Sequence, residues 1–211
     1  MSLMEKAIVW ACEECKADII SIASGFEHDD EDIRRKIKLA TANDTLVFAA
    51  ASNYGNMKTI FFPARLRNDV FGIFSTDARA KVAGVSLSIN PPRRRKGYNF
   101  AILGEDVVVS PYEKPVTGTS YATSIAAGLA AKLIDFSRQS TPASSIRLVN
   151  HLHSFEGMAA VFMKMVGEET SYHCLRPWKL LEHALPDETR QCKRERVCDI
   201  ISGALERRHD D

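Results

Sequence analysis

Short apolar runs alternate with amphipathic segments over the first two thirds of the chain. Runs of this kind predict strands. They cover residues 17–24, 45–52, 70–75 and 106–110. Residues 29–43 carry Ile33, Ile37 and Ala40 at helical spacing, which predicts a helix with one buried face. A longer helix is predicted over residues 119–138, whose first half is mostly small. Strands that alternate with helices indicate an α/β fold with a parallel sheet flanked by helices.

Beyond residue 140 the pattern becomes helical throughout. Residues 157–166 are strongly apolar, and residues 187–208 are charged with an apolar stripe. Neither segment resembles the short alternating runs that precede it. We therefore predict two parts, an α/β domain over residues 1–140 and a helical C-terminal extension over residues 141–211.

The composition excludes several classes of protein. Hydrophobic residues make up 45% and charged residues 26%, as in a globular domain. The net charge of +1 argues against a protein that mainly binds nucleic acid, which needs a clustered basic surface. No apolar run reaches the roughly 18 to 20 residues that cross a bilayer, and the first residues do not form a secretory signal. Five cysteines suit a reducing compartment better than a disulfide framework, so we expect an intracellular protein outside the membrane.

Two polar stretches follow apolar segments at positions where α/β folds bind ligands. The first, residues 49–55 (AAASNYG), runs from a strand into Asn53, whose amide can donate a hydrogen bond to a developing oxyanion. The second, residues 117–128 (TGTSYATSIAAG), begins the long helix with Ser120 beside free N–H groups and the positive end of the helix dipole. Taken singly, each has a plainer interpretation, since Asn53 suits a turn and Ser120 suits a helix N-cap.

Together and in this order, the two stretches resemble the subtilases, the subtilisin-like serine peptidases. That family has an AAGN-type segment followed by a GTS-x-A-[ST]-P segment, and this chain has AAASN and GTSYAT. ADIISIASG at residues 17–25 resembles the strand that lines the family's substrate cleft. FFPARLRNDVFGIFSTD at residues 61–77 resembles the family's segment in which Pro-Ala precedes a buried strand. The likeness extends over residues 7–137 and is nearest to intracellular fungal subtilases.

The resemblance implies a subtilisin-like fold and a serine endopeptidase that works through an acyl-enzyme on serine. It implies that Ser120 is the nucleophile and that Asn53 donates to the oxyanion. The residues that it implies for binding a peptide or protein substrate are Ile22, Ala23, Ser24, Gly25, Ala51 and Ser52. Residues 1–140 are then a partial peptidase domain, and we expect no metal or cofactor. Ser52 stands where the family has glycine, which predicts a narrower specificity pocket.

The chain departs from the family pattern in one respect that affects catalysis. A subtilase needs aspartate, histidine and serine in that order, and this sequence has neither the DTG nor the HGT motif that would carry the first two. The only histidine before Ser120 is His28, in an acidic run beyond the cleft strand, where we expect a solvated loop. Because a serine without a base is a poor nucleophile, we expect this chain alone to be weakly active or inactive.

Truncation of the family's first strands has a further consequence. Without those strands the sheet would have an open edge, which a partner could cover. The alternative function is therefore a catalytically inactive subtilase remnant that acts as a protein-interaction or regulatory module.

Three other patterns have competing interpretations. Cys12 and Cys15 have CxxC spacing, but the acids between them favour two ordinary helix cysteines. The basic run at residues 93–96 predicts a solvated loop in preference to a polyanion patch. A zinc site could be assembled from four residues whose spacing fits no familiar pattern. These are His173, Cys174, Cys192 and Cys198.

Overall fold

The structure is a computed structural model that describes residues 1–79, 90–92, 96–110, 114–139, 145–167, 172–182 and 188–206. Within these ranges the strands are β1 (Ile19–Ile22), β2 (Leu46–Ala50), β3 (Phe71–Thr76), β4 (Phe100–Leu103) and β5 (His173–Cys174). The α-helices are α1 (Leu3–Glu13), α2 (Glu31–Ala42), α3 (Thr119–Ser137), α4 (Phe155–Met163) and α5 (Arg190–Glu206). Short 3-10 helices lie at Gly55–Met57, Val149–His153 and Pro177–Leu181.

The strands form one parallel sheet in the order β1-β2-β3-β4-β5. Ile19 pairs with Leu46 between the first two strands, and Phe48 pairs with Phe71 between the next two. Every residue of β2 and β3 is buried, as expected for central strands with both faces covered. The predicted α/β fold with a parallel sheet flanked by helices is confirmed.

Three of the four predicted strands form, and the prediction over residues 106–110 is wrong. That segment contributes an isolated bridge between Val107 and Val116, and Val108 is exposed. Asp106 has a left-handed φ of 52°, so the chain turns away from the sheet just before the apolar run. The fourth strand is instead β4, whose apolar residues come a few positions earlier.

Helix α2 forms as its pattern predicts. The Asp30 carboxylate accepts hydrogen bonds of 3.0 Å from the backbone N–H groups of Asp32 and Ile33, which makes Asp30 the N-cap. Ile33, Ile37 and Ala40 are all buried. This buried face lies in the apolar cluster that α1 also joins, so the two helices cover one side of the sheet.

Helix α3 lies close against the other side of the sheet through small side chains. Ala122, Ala126 and Ala130 are fully buried and face the strands. Gly104, directly after β4, sits where a Cβ would be 2.8 Å from the Ala122 Cβ and 2.9 Å from the Gly118 carbonyl oxygen. The absence of side-chain atoms at Gly104 therefore sets how closely the start of α3 approaches the sheet.

The sequence predicts a C-terminal region that is helical throughout, but its described residues form a strand as well as helices. β5 pairs with β4 through His173 and Phe100. Phe162 of α4 and Ile201 of α5 are fully buried in the same cluster as Phe71. This region therefore shares the core of the sheet, while the division at residue 140 stays a prediction.

Aromatic rings fill the centre of that core. The ring of Phe71 lies 4.7 Å from Phe48, 4.4 Å from Phe155 and 5.7 Å from Phe162, measured between centroids. Offset and edge contacts at such distances add to the free energy gained from burying apolar surface. The core consequently joins β2, β3 and α4 into one unit.

Candidate active site

Ser120 lies in the first turn of α3, next to the end of β1. Its hydroxyl donates a hydrogen bond of 2.8 Å to the carbonyl oxygen of Ala23. The N-cap of α3 is Gly118, so Ser120 does not cap its own helix. The half-buried side chain instead spans from the helix to the strand, which is a tertiary contact.

Asn53, which follows β2, is held against the same helix. Its Oδ1 accepts hydrogen bonds from the backbone N–H of Thr119 at 2.8 Å and from the Thr119 hydroxyl at 2.9 Å. Two donors on one oxygen fix the orientation of the amide, so Nδ2 faces away from Thr119. Asn53 therefore does more than form a local turn, since its contacts join the end of β2 to the start of α3.

The first turn of α3 also offers a backbone donor. The N–H of Thr119 is bonded to Asn53, and the N–H of Tyr121 is bonded to the Gly118 carbonyl. In the part of the chain that the structure describes, the Ser120 N–H has no acceptor. A free N–H at a helix N-terminus carries partial positive charge and can bind a developing anion.

The end of β1 and the residues that follow it, 22–25, lie beside Ser120. Ile22 is buried, whereas Ala23 and Ser24 are exposed beside Ser120. Gly25 lies so close to the neighbouring segment that a Cβ would be 2.9 Å from the Phe62 carbonyl oxygen. Glycine is thus required where the chain after β1 packs against residues 61–62.

Ala51 and Ser52 lie between the end of β2 and Asn53. Ala51 is fully buried, and its N–H donates to the Ile73 carbonyl at 3.0 Å. Ser52 is also buried, and its hydroxyl has no hydrogen-bond partner among the described residues. Through Ala51, the backbone just before Asn53 is bonded to β3.

A cavity of about 830 Å³ opens beside the residues that follow β1. Its lining includes Gly25, Phe26, Tyr54 and Phe61. At its rim Lys58 donates to the carboxylate of Glu27. This contact lowers the pKa of Glu27 and raises the pKa of Lys58. His28 also lines the cavity, and it is exposed, as predicted.

Sequence reasoning missed two residues at this site, Thr119 and Tyr121. Thr119 is fully buried and holds Asn53. Tyr121 directly follows Ser120 and is 38% exposed. The sequence signal for Thr119 was its place between glycine and serine. Only the fold brings Tyr121 and Asn53 to the same side of Gly118.

The remaining predictions have mixed outcomes. All five cysteines are free. Among the described residues, the only acidic, histidine or cysteine group close enough to hold a metal is Glu5, Asp30 and Asp32, so the four residues considered for zinc do not come together. Residues 93–95 of the basic run lie outside the described residues. No helix in the described ranges has both the length and the apolarity that a membrane span requires.

A sequence comparison agrees with this arrangement. The family model described as Subtilase family matches residues 1–166, which is more than half of the chain. The chain belongs to the subtilase family. Residues 1–166 of this subtilase are thus related to the peptidase domain of that family.

Solved structures of two maturation proteases have a similar fold. The prenylagaramide maturation protease PagA has a TM-score of 0.61 and 18% identity, over 96% of this chain and 66% of PagA. The patellamide maturation protease PatA has a TM-score of 0.55 and 20% identity, over 98% and 68%. A mutant of the PatA protease domain has a TM-score of 0.59 and 21% identity, over 82% and 60%.

This subtilase thus spans about two thirds of the length of the proteases that it resembles. At these identities the likeness is one of fold. No curated protein sequence matches the chain.

Proposed function

We propose that this subtilase contributes the nucleophile and oxyanion half of a serine endopeptidase site. The observation that carries the proposal is the meeting of Ser120, Asn53 and Ala23 at one edge of the sheet. The Ser120 hydroxyl contacts the Ala23 carbonyl at 2.8 Å, and Asn53 is fixed by two hydrogen bonds to the residue before Ser120. Functional groups in parallel α/β folds lie at this edge.

In the proposed reaction, the substrate backbone lies along Ile22 to Gly25 as an added strand. Ser120 Oγ gives up its proton and attacks the scissile carbonyl carbon, forming a new C–O bond. The negative charge that develops on the carbonyl oxygen is stabilised by the Asn53 Nδ2 and the free N–H of Ser120. The proton acceptor returns this proton to the leaving nitrogen as the intermediate collapses, so that the C–N bond breaks and the amine departs. An acyl-enzyme remains, which water then hydrolyses.

The proton acceptor is proposed to come from polypeptide outside these 211 residues. In the described residues the hydroxyl of Ser120 bonds to a carbonyl rather than to an imidazole, and His28 is exposed on the loop after β1. Absence of the DTG and HGT motifs from the sequence supports the same view. The chain alone is accordingly weakly active or inactive.

A fluorophosphonate probe, which phosphonylates activated serines, tests these roles. We expect slow labelling of Ser120 in this chain, abolished by Ser120→Ala. Ser124→Ala is the matched control, because Ser124 is an exposed serine one turn further along α3. Loss of the oxyanion donor in Asn53→Ala should slow labelling about 100-fold.

Each contrary outcome removes one part of the proposal. Labelling at the rate of a complete protease would mean that a base is present in this chain. Labelling of the folded protein at a serine other than Ser120 would contradict the role of Ser120. Equal loss in the Ser124→Ala control would mean that the substitutions act through folding.

The alternative function, a protein-interaction module, is favoured by the edge of the sheet. Among the described residues, β1 pairs on one side only, with β2. Leu3 and Trp10 are 85% and 61% exposed on α1, and with Ala7 they make an exposed face at helical spacing. A cavity of about 520 Å³ lies between this face and Ile20 of β1. We propose that a polypeptide partner covers this edge.

Sedimentation of the purified chain tests that partner surface. An uncovered apolar edge should drive self-association, which Trp10→Asp should reduce. Trp178→Asp is the matched control, since Trp178 is 58% exposed on a distant 3-10 helix. A monomer that unfolds cooperatively, with β1 amides already protected from hydrogen exchange, would argue against an uncovered edge.

The intact mass and N-terminus of the protein in its native source separate the two functions. A mass well above 23.5 kDa, with upstream DTG and HGT segments, would favour the peptidase. A mass of 23.5 kDa would favour the module. We also propose an intracellular setting, which the five free cysteines support.

A further inference from the structure

The space beside Gly118 is shared by the Asn53 amide and the ring of Tyr121. A Cβ on Gly118 would lie 3.3 Å from Asn53 Nδ2, and 3.4 and 3.6 Å from Cδ2 and Cε2 of Tyr121. The donor nitrogen and the edge of the ring therefore border one small volume. A residue without a side chain keeps that volume open.

The hydrogen bonds around Asn53 make this neighbourhood specific. Both bonds from Thr119 end on Oδ1, so the nitrogen is the atom that faces the shared space. Tyr121 directly follows Ser120 in α3 and is 38% exposed, and Asn53 is itself exposed, so the ring borders the amide on one side while water reaches the rest of it.

We propose that Tyr121 is a positioning residue that screens the Asn53 donor from water and limits its movement. This inference rests on the proposed function, in which Asn53 Nδ2 binds the oxyanion. A hydrogen bond to a developing charge is stronger where water is excluded, because the local dielectric constant is lower. The ring supplies this effect through its shape, so the phenolic hydroxyl is not needed.

The first test measures the Asn53 side-chain amide itself by NMR, with Asn53→Ala to assign the signal. In Tyr121→Ala we expect the amide protons to lose the ring-current shift and to exchange with water several-fold faster. Tyr121→Phe keeps the ring and should retain both the shift and the exchange rate. An unchanged shift and exchange rate in Tyr121→Ala would overturn the proposal.

The second test follows Ser120 labelling by the fluorophosphonate probe. Tyr121→Ala should slow it by about 10-fold, a fraction of the roughly 100-fold cost of removing an oxyanion donor. Tyr121→Phe should restore the rate of the unmodified chain. Normal labelling in Tyr121→Ala would overturn the link to the oxyanion.

The two tests also separate this inference from the proposed function. An amide effect in a chain whose probe label falls on another serine would refute the role of Ser120 and leave the screening by Tyr121 intact. Labelling of Ser120 with no amide effect in Tyr121→Ala would refute the screening by Tyr121 and leave the role of Ser120 intact.

Discussion

The close approach of α3 to the sheet can be tested by adding a single methyl group at Gly104. In Gly104→Ala the new Cβ would lie 2.6 Å from Ser75 Oγ, 2.8 Å from Ala122 Cβ and 2.9 Å from the Gly118 carbonyl oxygen. An ordinary carbon–carbon contact is about 3.5 Å, so the helix would have to move by about 0.7 Å at Ala122. Backbone and a helical Cβ cannot yield by simple side-chain rotation.

The cost follows from this overpacking. Extra methyl groups in tightly packed cores destabilise proteins by about 1 to 3 kcal/mol, and we expect about 2 kcal/mol here. For a chain of this size the melting temperature should fall by about 4 to 8 °C. The Gly118 N–H donates to the Gly104 carbonyl at 2.8 Å, so the displacement should also disturb the start of α3 and slow Ser120 labelling.

Gly128→Ala is the matched control, because it adds the same methyl group to the same helix. Gly128 is exposed in α3, and a Cβ there would meet nothing within 4 Å. Replacing glycine in a helix should stabilise the protein by about 0.4 to 1 kcal/mol. Thermal and urea unfolding followed by far-UV circular dichroism should thus give opposite signs for the two variants. A Gly104→Ala protein as stable as the parent would refute the close approach.

Three further predictions follow from the described contacts. Arg138 donates to Asp18 and lowers its pKa, so the stability from this pair is present above about pH 3.9 and lost as pH falls through the lowered pKa. In pH-dependent unfolding, Asp18→Asn should therefore be less stable than the parent near pH 6, with the difference vanishing toward pH 2. Phe71→Ala should cost about 3 to 5 kcal/mol in urea unfolding, since it empties the centre of the aromatic cluster; a loss below 1 kcal/mol would contradict that position. Burial raises the pKa of Cys12, so iodoacetamide should modify it several-fold more slowly than the exposed Cys15, as peptide mass mapping would report.

The fold could be predicted where the apolar pattern is local. Residues 45–52 are apolar throughout and form a central strand, and residues 29–43 repeat at helical spacing and form α2. β4 and β5 were not predicted, because each is short and its burial depends on distant partners. For residues 106–110, β-branched composition was misleading, since a left-handed Asp106 turns the chain first.

The candidate site, like the fold, could be predicted only where its residues lie in local motifs. Asn53 and Ser120 could be singled out from their motifs, and the fold brings them to the same helix start. Thr119 gains its importance from hydrogen bonds to Asn53 across 66 positions of sequence, and Tyr121 from a space beside Gly118 that it shares with Asn53, neither of which a local pattern records. Assignment of their roles stays a prediction that the labelling and NMR experiments address.

The agreement between strand order and chain order bears on how the protein folds during synthesis. Each strand from β2 to β5 is laid beside the strand made just before it, so the sheet can grow from one side as the ribosome releases the chain. Among the described strands, β1 is made first and lies at one margin of the sheet. A polypeptide that pairs with this edge of β1 can do so before α3, which carries Ser120, has been synthesised. Pairing at the sheet edge can therefore precede assembly of the candidate site.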